Sequence, residues 1–264
     1  MGIVDQAKAL RATATERLLP QKFVFHHIPK CGGTSVGRAL RKRYLLSQAT
    51  VTPESSFRAF EAFTGRTDRE QMLVDVLDLR EQMLLYHMYE GVRGLSLHVR
   101  FSERAHARFS DGYKFVTILR EPLERFVSHY HWSHNKPHAH AHIDEDFLTF
   151  LDTDRAKRIG STFVEYLSGL PKEIPPYSGE AIAAAVANLA HFQVVGRLDR
   201  LDLFEQDLKR ELGVRVRIGH ENKGKLQTVR KPELDDPVLR SRIEDLCAPD
   251  LAVWNAAFGG HATA

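Results

Sequence analysis

An α/β fold, a mostly parallel sheet flanked by helices, is what this sequence predicts, and three observations predict it. Short aromatic and β-branched runs alternate with helical periodicities, an order that favours parallel strands joined by crossover helices. The three clearest runs each stop at a charged or Gly-rich turn, at 29–35, 120–128 and 196–197. In parallel sheets ligands gather beyond such strand ends. Finally, the 264 residues are 43% hydrophobic and 27% charged, ordinary globular usage with enough chain to bury a core unaided.

The elements follow in order. Val4 to Leu19 mixes apolar and charged residues up to Pro20, which predicts an N-terminal helix within residues 1–20. Lys22-Phe-Val-Phe-His-His-Ile28 is a buried strand, stopped by Pro29. Thr34 or Ser35 then caps a helix carrying Val36, Leu40 and Tyr44. Pro53 to Met83 reads as helical, with Thr67-Asp68-Arg69-Glu70 as a capping-box start. A strand at Gly94 to Val99, a helix at Glu103 to Phe109 and a strand at Tyr113 to Leu119 come next. Helices are expected at 144–151, 161–167 and 179–190, and a strand at Phe192 to Val195. Leu201 to Leu212 is an amphipathic helix, Val214 to Ile218 a β-like run, and His220 to Lys231 a polar loop before a helical C-terminus. One domain with its core over 22–258 is the expected organisation.

Composition excludes several classes. Lys plus Arg total 37 against 34 Asp plus Glu, a net charge of +3 too mild to indicate a nucleic-acid partner. No apolar run reaches the ~18 residues that span a bilayer. Asp5, Lys8, Arg11, Glu16 and Arg17 interrupt any signal-peptide core, so no integral membrane segment is expected. Cys31 and Cys247 are the only cysteines, which excludes a disulfide scaffold and favours a reducing, cytoplasmic setting. Oligomeric state leaves no sequence signal.

The sharpest motif is Ile28-Pro29-Lys30-Cys31-Gly32-Gly33-Thr34-Ser35. A Gly-Gly turn between strand and helix presents successive backbone N–H groups to an anion, Lys30 adds a point charge, and Thr34 and Ser35 add hydroxyls. Lys precedes the glycines here, unlike a Walker A loop, which disfavours metal-dependent NTPase chemistry. The second motif is Arg120-Glu121-Pro122-Leu123-Glu124-Arg125-Phe126-Val127-Ser128. Arg120 at a strand end and Ser128 about two helical turns on can converge on a second phosphate. Six of the 14 histidines fall between His129 and His142, a segment that could bind a transition metal but shows no defined zinc spacing. His27, near the first loop, is a lesser candidate for touching cofactor or acceptor.

Together the two motifs resemble the sulfotransferases that use 3′-phosphoadenosine 5′-phosphosulfate (PAPS), most closely the carbohydrate branch typified by heparan uronyl 2-O-sulfotransferases. The resemblance implies a P-loop-like nucleotide fold. It also implies that Lys30, Cys31, Gly32, Gly33, Thr34 and Ser35 hold the 5′-phosphosulfate, and that Arg120 and Ser128 hold the 3′-phosphate. Leu97-His98-Val99-Arg100-Phe101, with His98 22 residues before Arg120, is similar to the family's G-H-x-x-F segment, Leu97 standing where Gly is usual. By that likeness His98 is the catalytic base, with Lys30 stabilising the leaving group; His87 is its rival and Glu90 the next candidate. His220-Glu-Asn-Lys-Gly-Lys225 occupies the place of a late loop that closes over the nucleotide, which brings in Asn222 and Lys223. Asp250-Leu-Ala-Val-Trp254 resembles the terminal D-x-x-x-[YW] helix, and between 45 and 90 nothing is recognised.

The expected activity is transfer of a sulfuryl group from PAPS to an acceptor hydroxyl, on a carbohydrate, with release of adenosine 3′,5′-bisphosphate (PAP) and no metal. Two alternatives stay open: a PAPS-binding regulatory module without turnover, and a nucleoside-phosphate kinase with a degenerate loop. The kinase would need a strand ending in a Mg²⁺-binding Asp, and no strand read here does.

Overall fold

A computed structural model describes residues 21–135, 141–219 and 232–259, with isolated positions before them. Its centre is a five-stranded sheet in the order β2-β3-β1-β4-β5. The strands are β1 (Lys22–His26), β2 (Gln48–Val51), β3 (Gly94–Leu97), β4 (Tyr113–Leu119) and β5 (Val194–Arg197). Every pairing is parallel. Phe23, Val24, Phe25, Phe115, Val116 and Ile118 are fully buried. Apolar runs without alternation mark central strands covered on both faces. Helices after β1 and after β4 begin side by side, because His26 pairs with Thr117 at the carboxyl edge.

The helices in chain order are α1 (Gly33–Arg43), α2 (Pro53–Thr64), α3 (Arg69–Tyr89), α4 (Glu103–Phe109) and α5 (Pro122–His134). Then come α6 (Phe147–Phe150), α7 (Asp154–Gly160), α8 (Thr162–Leu167), α9 (Gly179–Asn188) and α10 (Leu201–Leu212). The last two are α11 (Pro232–Asp235) and α12 (Pro237–Phe258). One apolar cluster surrounds the sheet. A second joins Leu123 and Phe126 of α5 to Phe150, Ile159 and, on α12, Ile243 and Cys247.

Several expectations are corrected. The expected 53–83 helix is two helices, since Gly65 takes φ +66° and closes α2 by donating to the Glu61 carbonyl. The Thr67–Glu70 capping box does not form. Asp68 stands at the N-cap without a side-chain cap bond and is held by Arg66 instead. Helix α1 starts from Gly32 in the left-handed region rather than from a Thr34 or Ser35 cap. Val214, Val216 and Ile218 are buried in alternation with exposed neighbours, yet they join no strand; Glu205 takes the Ile218 N–H instead. Strand β2 went unread because four residues, Gln48-Ala-Thr-Val51, are too few for periodicity to register. Of the anticipated N-terminal helix only isolated positions are described, with Gln6, Thr13, Glu16 and Leu18 helical; the 220–231 loop, His138 and His140 lie outside the described residues.

Candidate active site

A cleft of about 1450 Å³ opens at the carboxyl ends of the strands. Its floor is the loop after β1. Lys30 is the one non-glycine with positive φ among the described residues, at +67°, and Gly32 follows at +75°. A left-handed L-residue costs roughly 1–2 kcal/mol, and such strain clusters at functional sites. The backbone it shapes turns toward the start of α1. Ser35 and Val36 donate to the Gly32 carbonyl, so the N–H groups of Gly33 and Thr34 precede the first helical bonds and face the cleft end of the helix. Gly33 is required by space: a Cβ there would stand 1.9 Å from the His27 ring. The Lys30 ammonium lies 5.1 Å from the centre of the Trp132 ring, a cation–π contact that leans it toward α5.

Strand β4 delivers the second anchor. Pro122 opens α5, and Glu121 accepts from the N–H groups of Leu123 and Glu124, so the helix starts directly after Arg120. Arg120 is 5% exposed, lines the cleft with Ser128, and is paired with Glu124 at 3.0 Å. Strand β3 brings His98 to the same cleft, its N–H reaching Val51 of β2 at 3.4 Å. Burial, and after it the positive charge that His27 and Arg80 can present, hold its imidazole well below the ordinary 6.5. His98 therefore stays uncharged across the neutral range.

Lys30, Gly32, Gly33, Thr34, Ser35, Arg120, Ser128 and His98 therefore line one cleft. Cys31 departs from them: its thiol is buried, donates to the Pro29 carbonyl at 3.7 Å and is pushed up to about 12, chiefly by burial. Its side chain belongs to the core, and only its backbone shapes the loop. Asn222 and Lys223 lie outside the described residues. His87 sits on α3, outside the cleft lining, so it does not compete with His98 in space. Among the described residues no group of three His, Cys, Asp or Glu side chains could hold a metal.

Sequence reasoning missed the far wall. Arg80 from α3, Arg155 and Arg158 from α7, and Glu165 and Tyr166 from α8 all face the cleft. Arg158 is bound to Glu165 at 2.6 Å and Arg155 to Glu70 at 3.0 Å. Arg80, 5% exposed, donates to Ser56 Oγ and to the Pro53 and His98 carbonyls. The Arg155/Arg158 spacing of one helical turn was the available signal. Trp254, from the terminal motif, closes the opposite side with Arg197, whose guanidinium lies 5.2 Å from its ring.

A family model described as the sulfotransferase family matches residues 20–159, just over half of the chain. That segment contains the loop after β1, His98 and the Arg120–Ser128 turn. No match is found among curated proteins.

Proposed function

The chain belongs to the sulfotransferase family, and from that premise we propose that it moves the sulfuryl group of PAPS to a hydroxyl of a carbohydrate acceptor. The observation that carries the reading is the shared cleft: an anion loop, a second Arg/Ser anchor and a neutral histidine line one cavity. The loop N–H groups and Lys30 take the 5′-phosphosulfate, and Arg120 with Ser128 takes the 3′-phosphate, which orients the reacting sulfur. The acceptor oxygen attacks sulfur in line as the bond from sulfur to the bridging phosphate oxygen breaks. The hydroxyl proton passes to His98, and the charge left on PAP is met by Lys30 and the backbone dipoles. No metal takes part. Residues 22–258 act as one unit, and the free cysteines Cys31 and Cys247 suit a cytoplasmic setting. Among the described residues no helix is long and apolar enough to cross a membrane.

The test is transfer of radiolabelled sulfuryl from PAPS to a glycan panel, with and without EDTA. Labelled glycan formed equally under both conditions is expected. Stabilisation by ATP and Mg²⁺ but not by PAP would return the kinase reading. Tight PAP binding without transfer to any acceptor would leave a nucleotide-binding module.

A further inference from the structure

His27 has no part in the reaction just described, yet its ring touches two of the groups that do. It lies against Gly33, where a Cβ would meet its Cδ2 at 1.9 Å. Its centroid is 3.7 Å from that of His98, with the planes at 33°, and Phe25 stacks on it at 5.8 Å. The Nδ1 of His98 is buried with no hydrogen-bond partner among the described residues, and the polar backbone group that bears on its ring is that of His27. A ligating or catalytic imidazole is ordinarily oriented by a bond at its second nitrogen.

We propose that His27 is a positioning residue: packed on the donor loop at Gly33, it fixes the His98 ring by stacking and ties the base's place to the loop that holds the donor. This rests on the reading of His98 as the base. The charged groups facing the pair are Arg41 from α1 and Arg80 from α3. With two cations beside them, rings in contact do not both hold a proton, and the pair stays neutral where transfer needs a free lone pair. Burial pushes His27 down to about 3, in the same direction.

A double-mutant cycle tests it. His27→Ala should lower kcat about 10- to 100-fold, the scale of a misplaced catalytic group. PAP affinity should stay near wild type. His27→Phe, which keeps a stacking ring, should recover most of the rate. In a His98→Ala background the His27→Ala change should add no further loss. By NMR, the His98 imidazole should titrate closer to the ordinary range in His27→Ala than in the native protein. Losses that add across the cycle, or an unchanged kcat in His27→Ala, overturn the positioning role alone. Absence of transfer in the native protein overturns the proposed function, and the role of His27 with it.

Discussion

Arg120 is both buried and committed. Its guanidinium is 5% exposed, and Glu124 Oε2 accepts from its Nε at 3.2 Å and from its terminal nitrogen at 3.0 Å. A phosphate arriving at Arg120 thus meets a half-exposed carboxylate already on the fork. Two substitutions separate their roles. Arg120→Ala should weaken PAP binding ~30- to 150-fold, the equivalent of about 2–3 kcal/mol for a charge-assisted bond. It should also remove discrimination against the analogue lacking the 3′-phosphate. Glu124→Gln should bind PAP several-fold more tightly, because like charge at the phosphate is removed. Isothermal titration with both nucleotides reads each outcome. Weaker binding in Glu124→Gln would mean that the carboxylate orients Arg120 rather than competing for it. Lys30, Gly33, Arg120 and Ser128 could be recognised from sequence because each belongs to a short contiguous motif beside a strand end. Arg80, Arg155 and Arg158 could not, since only the tertiary fold carries α3 and α7 to one wall.

Helices α5, α8 and α12 meet at a buried charge pair. Arg125 and Asp250 are both 0% exposed, with 3.4 Å between Arg125 Nη2 and Asp250 Oδ2. Asp250 Oδ1 also accepts the N–H groups of Phe163 and Val164 at 2.7 and 3.2 Å, capping the start of α8. Arg125 donates to the Ile159 carbonyl. Burial pushes the Asp250 carboxyl up to about 7 even with these partners. Breaking such a pair by removing one charge typically costs ~3–5 kcal/mol. Arg125→Met should therefore destabilise the fold by about that much at pH 8. At pH 6 the cost should be smaller, because an Asp250 without its counter-ion takes up a proton. Urea unfolding at the two pH values checks it; an equal loss at both would show that Asp250 stays charged. The sequence places Asp250 on its terminal helix and Arg125 beside the second motif, but says nothing of their meeting. At this scale long strands and helices with clear periods were readable from the chain. Short β2 and the break at Gly65 were not, because a four-residue strand and a single left-handed glycine leave little pattern.

Across the whole molecule, the buried histidines govern acid stability. His26 is 0% exposed, ringed by Phe101, Phe115 and Phe192 at centroid distances of 6.4, 5.7 and 5.2 Å. One nitrogen bonds the Val99 carbonyl at 3.3 Å; the other has no hydrogen-bond partner among the described residues. Burial lowers its pKa from 6.5 to about 4. The unfolded chain then binds a proton that the folded one refuses. Stability is therefore full above pH 6.5 and is lost as pH falls toward 4, by about 1.4 kcal/mol per unit, roughly 3 kcal/mol from His26 alone. His27, His98 and His129, also shifted down chiefly by burial, add to that loss. Asp250 works the other way: with its folded pKa raised from 3.8 to about 7, it binds its proton first in the folded state and offsets part of the loss over the same interval. These four buried histidines against one raised carboxyl leave a net fall. The expected result is a urea midpoint that drops between pH 7 and pH 4.5, and drops less in His26→Phe. That variant keeps an aromatic ring in the cluster and gives up only the bond to Val99. Should native protein and variant lose stability in parallel over that interval, the acid sensitivity belongs to other groups, and the buried ring at the end of β1 is not its source.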